Sequence, residues 1–217
     1  MKMTKTSTEL VFILDKSGSM GGLESDTIGG FNSMLNKQKA LDDDCRITTV
    51  LFDNNYELLH DRIDIQAVNP ITEKDYYVGG STALLDAIGI TLQKIIRVAK
   101  YTAKEDQAPK VIFVIITDGM ENASREYSSQ KIKSMIEEQK TKYGWEFIFL
   151  GANIDAVETA SHYGVSADRA MNYVPDRKGT NLNFKVMSYT VEKFRKTGQV
   201  PEDAFDEIRK DHKQRGK

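Results

Sequence analysis

Two kinds of hydrophobic pattern take turns along the chain. The first is the short apolar run. Leu10-Val11-Phe12-Ile13-Leu14 fills the centre of 8–15, and Val111-Ile112-Phe113-Val114-Ile115-Ile116 fills 111–117. Continuous apolar runs of this length, bounded by polar turns, suit strands buried on both faces. Residues 45–53 predict a second strand through Ile47, Val50 and Phe52. Residues 56–65 predict a third, joined to it antiparallel through the turn Asp53-Asn54-Asn55. Residues 145–150 read as a fifth strand, and 169–174 as a sixth at an edge. The second pattern has helical spacing. It predicts helices over 24–40 (Ile28, Phe31, Leu35, with Ser25 or Asp26 as cap), 82–100 (Leu85, Ile88, Leu92, Ile95, Ile96) and 128–141 (Ile132, Met135, Ile136). A short helix over 154–163 stops at Gly164, and a last one over 181–197 stops at Gly198. That last helix is expected to bury Phe184, Met187, Val191 and Phe194.

Alternating strands and helices imply an α/β, doubly wound, mostly parallel six-stranded sheet of Rossmann-like form. It has one antiparallel edge strand and helices on both faces. No repeat, low-complexity stretch or linker divides the chain, so 1–198 reads as a single domain. Residues 199–217 read as a charged, mildly helical tail that frays at its end. In such sheets ligands bind beyond the carboxyl ends of the strands, where the strand order reverses. Asp15 and Asp118 each fall just past such an end.

Composition narrows the function classes. The 217 residues are 40 % apolar and 29 % charged, enough for one domain with a sizeable core. A net charge of −2 gives no electrostatic case for nucleic acid. No apolar run approaches the roughly 18 residues of a membrane helix. The N-terminal residues 1–8 are polar and lack a signal-peptide core, so the expected location is cytoplasmic and no membrane partner is expected. The single cysteine, Cys45, cannot form an intrachain disulfide and reads as a small apolar residue at a strand start.

The candidate chemistry lies in Asp15-Lys16-Ser17-Gly18-Ser19, in Gly79-Gly80-Ser81-Thr82, and in Thr117-Asp118-Gly119. Two strand ends and one helix start each deliver small oxygen ligands. Mg2+ takes near-octahedral oxygen coordination and gives up its waters reluctantly. Short neutral hydroxyls suit that geometry without cancelling the ion's charge. With only two carboxylates the ion stays electrophilic, and a carboxylate from another molecule can complete it.

Asp15-x-Ser17-x-Ser19, then Thr82, then Asp118-Gly119, resembles the metal-ion-dependent adhesion site of von Willebrand factor A domains in order and in spacing. The resemblance covers about residues 7–197. It implies metal ligation by Asp15, Ser17, Ser19, Thr82 and Asp118, some of it through water. The ion would be Mg2+, with Mn2+ or Ca2+ as substitutes. The wording around Thr82-Ala83-Leu84-Leu85-Asp86 and Thr117-Asp118-Gly119-Met120-Glu121-Asn122 is similar to prokaryotic or phage intracellular members. The implied function is a protein-binding module that captures a partner's Asp or Glu through the metal, in an intracellular or phage assembly. No catalytic residue is expected. One alternative is a metal-dependent hydrolase of phosphatase type, but Ser17 stands where a haloacid-dehalogenase-type phosphatase has its second Asp. The other is a structural component with a stabilising ion. No P-loop is present.

The remaining polar features have blander readings. Asp86 reads as a structural or outer partner of the site and not as a direct ligand. Asp42-Asp43-Asp44 reads as a solvated helix terminus, because three consecutive side chains cannot converge. Glu121 and Asn122 read as solvated loop residues, and His60, His162 and His212 are isolated.

Overall fold

The computed structural model describes residues 7–216; most of the polar N-terminal run lies outside it, as does Lys217. Six strands form one sheet: β1 (Thr8–Asp15), β2 (Cys45–Phe52), β3 (Tyr56–Asp64), β4 (Lys110–Asp118), β5 (Glu146–Ala152) and β6 (Ala170–Asn172). Their spatial order is β3-β2-β1-β4-β5-β6. Only β3, at one edge, is antiparallel to its neighbour. The helices are α1 (Glu24–Lys39), α2 (Leu84–Tyr101), α3 (Ser129–Tyr143), α4 (Ala156–His162), α5 (Arg177–Thr197) and α6 (Asp206–Arg215). The architecture is that of a doubly wound Rossmann-like fold, and the strand order reverses between β1 and β4.

Strand alternation sorts the core into two layers. Leu10, Phe12 and Leu14 of β1 face Phe31, Met34 and Leu35 of α1 and the buried stripe of α5. Val11 and Ile13 point the other way, toward Leu84, Ile88 and Leu92 of α2, Ile132 and Ile136 of α3 and Ala156 of α4. A strand buried on both faces needs no polar alternation, which is why β1 and β4 read as continuous apolar runs. α1 and α5 approach closely at Gly30, where a Cβ would lie 2.3 Å from the Phe184 ring. The expected inward face of α5 is as the spacing predicts, with Phe184, Met187, Val191 and Phe194 all buried.

The structure departs from the expectation at three helix starts and in the tail. α1 begins at Glu24 behind Leu23, so Ser25 and Asp26 lie inside its first turn and neither caps it. α5 begins one turn early, because the Asp176 side chain accepts the Gly179 amide at 2.8 Å and caps it. α2 begins at Leu84, which leaves Thr82 in the preceding loop. The charged segment beyond 198 is packed: Val200, Ala204, Phe205 and Ile208 lie in the α1–α5 layer. Arg215 pairs with Asp211 and with the α5 cap Asp176, and its hydrogen bonds hold the Asp211 carboxyl down at about 2. Phe205 is fully buried. Phe205→Ala is therefore expected to lower the unfolding free energy by about 3 kcal/mol. A urea midpoint equal to the wild type would show that α6 contributes nothing to the core. Among the described residues, no helix is long and apolar enough to cross a membrane.

Candidate metal centre

β1 and β4 run in parallel register from Thr8↔Lys110 to Leu14↔Ile116, so their carboxyl ends deliver Asp15 and Asp118 side by side. This is the switch point, where a doubly wound sheet leaves a crevice. Asp15 is buried. One of its carboxylate oxygens accepts the Ser17 amide at 2.7 Å, which folds the loop back over the strand end. The other accepts the Thr117 hydroxyl at 2.7 Å and the Asp118 amide at 3.2 Å. Ser17 Oγ lies 3.0 Å from Ser19 Oγ and 3.1 Å from Thr82 Oγ1. Ser19 Oγ also donates to the Asp118 carbonyl, and Asn153 Nδ2 donates to the Asp118 carboxylate. All five residues singled out in the sequence thus belong to one hydrogen-bonded group.

The loop carrying Thr82 is tied down from three sides. The Gly79 amide donates to the Lys16 carbonyl at 2.9 Å, and the Gly18 amide donates to the Gly80 carbonyl at 3.1 Å. Gly80 has φ +72°, and a Cβ there would lie 2.2 Å from Asn54 Oδ1, so glycine is favoured on both counts. Asn122 clamps Thr82: its side-chain oxygen accepts the Thr82 amide at 2.9 Å, and its own amide donates to the Thr82 carbonyl at 3.0 Å. Glu121 accepts the Leu85 amide at 2.8 Å at the start of α2, as well as the Ala123 and Ser124 amides. Glu121 and Asn122 are therefore not merely solvated. They fasten the loop after β4 to the loop before α2. Asp86 accepts the amides of Arg125, Glu126 and Tyr127 at 2.7, 2.9 and 2.9 Å, a structural role in keeping with its spacing from Thr82.

Four contributors escaped the sequence reading. Tyr76 is buried and donates its hydroxyl to the Asp15 carbonyl at 2.6 Å. Thr117 supports Asp15 directly. Tyr173 lies 3.4 Å from the Thr117 carbonyl through its hydroxyl. Asn153 sits just beyond the end of β5 with φ +55°, a conformation asparagine tolerates better than most residues. Its position past a strand end next to the switch point was the one available signal. Elsewhere, Asp43 does more than end a helix, because it pairs with the buried Arg195 at 2.9 Å. Cys45 is buried, and burial pushes its thiol up to about 12, in keeping with an inert core residue.

The electrostatics favour a cation. Among the described residues neither Asp15 nor Asp118 has an ion-pair partner. Burial raises the Asp15 carboxyl against the opposing effect of its hydrogen bonds. Burial first, and the Asp15 charge after it, push Asp118 up to about 6, although the Asn153 hydrogen bond works the other way. The donor set fits a small hard ion. Oxygens on adjacent corners of an octahedron with metal–oxygen distances of about 2.0–2.1 Å are about 2.8–3.0 Å apart. The Ser17–Ser19 and Ser17–Thr82 hydrogen bonds, 3.0 and 3.1 Å, bring the hydroxyl oxygens close to that spacing. Among the described residues no three His, Cys, Asp or Glu side chains gather as a metal cluster, so any ion here depends on hydroxyls.

The sequence matches the family model of the von Willebrand factor type A domain over residues 9–196. No curated protein matches it. Among solved structures, the fold is similar to the D319A mutant of the PilB minor pilin from Streptococcus sanguinis. The TM-score is 0.61 at 10 % identity, over 90 % of this chain and 64 % of that one. It is also similar to proximal thread matrix protein 1 from the mussel byssus, in a structure with a zinc-occupied adhesion-site motif. There the TM-score is 0.54 at 11 % identity, over 85 % and 46 % of the two chains. A third is the manganese-loaded TRAP protein of Plasmodium vivax, with TM-score 0.50 and 21 % identity over 68 % and 57 %. This chain therefore spans about half to two-thirds of each of these proteins, and at such identities the likeness is one of fold. The family match rests on the sequence itself and covers most of its length: this chain belongs to the von Willebrand factor type A domain family.

Proposed function

We propose that the chain is a metal-dependent protein-binding module, with a divalent cation at the β1–β4 switch point that captures an Asp or Glu side chain of a partner. The observation that carries this reading is the cluster of hydroxyls from Ser17, Ser19 and Thr82, with Ser17 Oγ 3.0 and 3.1 Å from the other two, beside two buried carboxylates without cationic partners among the described residues. Ser17, Ser19 and Thr82 would hold the ion directly. Asp15 has both oxygens engaged by protein donors, so it sets the loop and acts on the ion by charge and through water. Asp118, held by Asn153, supplies the second negative charge. Bound there, the ion would provide a Lewis-acidic coordination position for a carboxylate. Mg2+ is the expected intracellular ion, with Mn2+ or Ca2+ able to replace it. The zinc and manganese in the two structural neighbours support a divalent ion in this fold.

The binding reading is preferred to a hydrolytic one on chemical grounds. Lys16, the basic residue within the Asp15–Ser19 stretch, has its ammonium 2.6 Å from Glu57 and is not positioned as a base or nucleophile at the hydroxyl cluster. We assign the module to an intracellular, prokaryotic or phage-type assembly on the wording of its loops. Affinity capture from the native host tests the function. The expected result is a partner retained in Mg2+ and lost both on chelation and with Thr82→Ala. A partner indifferent to both would contradict metal-mediated capture, and metal-dependent turnover of phosphate esters lost in Thr82→Ala would favour the hydrolase.

A further inference from the structure

The loops around the candidate metal centre carry a surface feature that metal ligation does not explain. Among the described residues the large hydrophobic side chains left exposed are Tyr77, Tyr101, Met120, Tyr143 and Tyr189. Tyr101 and Tyr143 are the last residues of α2 and α3, and Tyr189 lies along α5. The other two border the site. Met120 is 72 % exposed. It stands between Gly119, where a Cβ would lie 3.2 Å from Ser19 Oγ, and Asn122, which clamps Thr82. Tyr77 is 58 % exposed and follows Tyr76, the residue that holds the Asp15 carbonyl. Its ring lies over the Lys16 ammonium, 4.2 Å from Nζ to the ring centre. A flexible thioether and a tyrosine thus stand on the loops that carry the site, and both residue types are enriched at interface cores.

The charges of the same rim restrict what can cover these side chains. Lys16 is neutralised by Glu57. Asp15, Asp53, Asp118 and Glu121 are held by amide groups and, among the described residues, by no cationic side chain, so a divalent cation balances only two of these four charges. One partner carboxylate is drawn in by direct coordination. A second, off the metal, meets only like charge.

We infer that the partner segment presents one acidic residue flanked by apolar side chains, which seat against Met120 and Tyr77, and not a run of acidic residues. This deepens the metal-capture reading and rests on it. The test uses short synthetic peptides in saturating Mg2+, each with one Asp flanked by leucines, by serines or by further glutamates, and follows binding by amide chemical shifts. The leucine-flanked peptide is expected to bind about tenfold more tightly than the serine-flanked one, and the glutamate-flanked one most weakly. Met120→Ser together with Tyr77→Ser is expected to erase the advantage of leucine. A leucine-flanked peptide that binds no better than the serine-flanked one, whether both bind or neither does, overturns the inference, as does preference for glutamate. Direct Mg2+ titration of the same protein separates this from failure of the metal reading. Absent Mg2+ binding removes the capture mechanism, whereas intact Mg2+ binding without leucine preference removes only the apolar flank. Dimerisation abolished by the double variant would assign the patch to a second copy of this chain and would also overturn the inference.

Discussion

Asp15→Asn is expected to weaken Mg2+ binding by about 10–100-fold while the protein stays folded. The side-chain oxygen of asparagine can still accept the Ser17 amide that Asp15 now accepts at 2.7 Å. The Thr117 hydroxyl can turn to accept from the new amide group, and only the Asp118 amide is left facing a donor. One unsatisfied buried donor costs about 1–3 kcal/mol. Asp15→Ala is a harsher change, because the Ser17 amide, the Thr117 hydroxyl and the Asp118 amide all lose their acceptor, and a larger stability loss is expected. The two variants together separate the charge of Asp15 from its role in shaping the loop. Calorimetric Mg2+ titration and urea unfolding read the two effects. Wild-type Mg2+ affinity in Asp15→Asn would remove Asp15 from the metal centre.

The second large effect lies away from the site. Arg195 on α5 is fully buried, and its guanidinium is satisfied throughout. Nε and Nη2 donate to the Asp43 carboxylate at 3.1 and 2.9 Å, and Nη2 donates to the Asp43 carbonyl at 3.0 Å. Nη1 donates to the Gln38 carbonyl at 2.7 Å. This ties the carboxyl-terminal part of α5 to the end of α1 and to the turn between α1 and β2. Asp43→Ala leaves a buried cation without its counter-charge and is expected to cost about 3 kcal/mol in urea unfolding. The Asp43 side chain is 22 % exposed, and the two backbone carbonyls still accept, which keeps the loss at the low end for a broken buried pair. Arg195→Met removes the charge together with the need for a partner and is expected to cost less. A greater loss in Arg195→Met than in Asp43→Ala would mean that packing of the long side chain, and not its charge, holds α5.

The parts of this fold that were legible in the sequence are those where one short-range pattern decides. β1 and β4 are buried on both faces, so their runs carry no competing signal. α2 and α5 keep an apolar stripe at helical spacing over many turns. The candidate site could be singled out because three of its five residues lie in one short stretch, and the other two stand next to or near glycines at an element boundary. What was not legible depends on partners distant in sequence. Arg195 and Asp43 are far apart along the chain, and neither local context distinguishes a buried ion pair from a solvated one. Tyr76, Glu121 and Asn122 support the site through backbone groups, which leave no residue-type pattern to read, and Asn153 reaches the Asp118 carboxylate from another strand end. Phe205 and Ile208 carry the packing of α6 almost alone among charged neighbours, so composition points to a tail where the structure has a docked helix.

The most direct test of the metal centre is anomalous diffraction from crystals grown with Mn2+ and collected at a manganese-sensitive wavelength. One strong peak is expected at the β1–β4 switch point, bounded by Ser17 Oγ, Ser19 Oγ and Thr82 Oγ1 and weakened or lost in crystals of Asp15→Asn. A well-ordered site with no peak there at saturating Mn2+, or with manganese bound elsewhere, would contradict it.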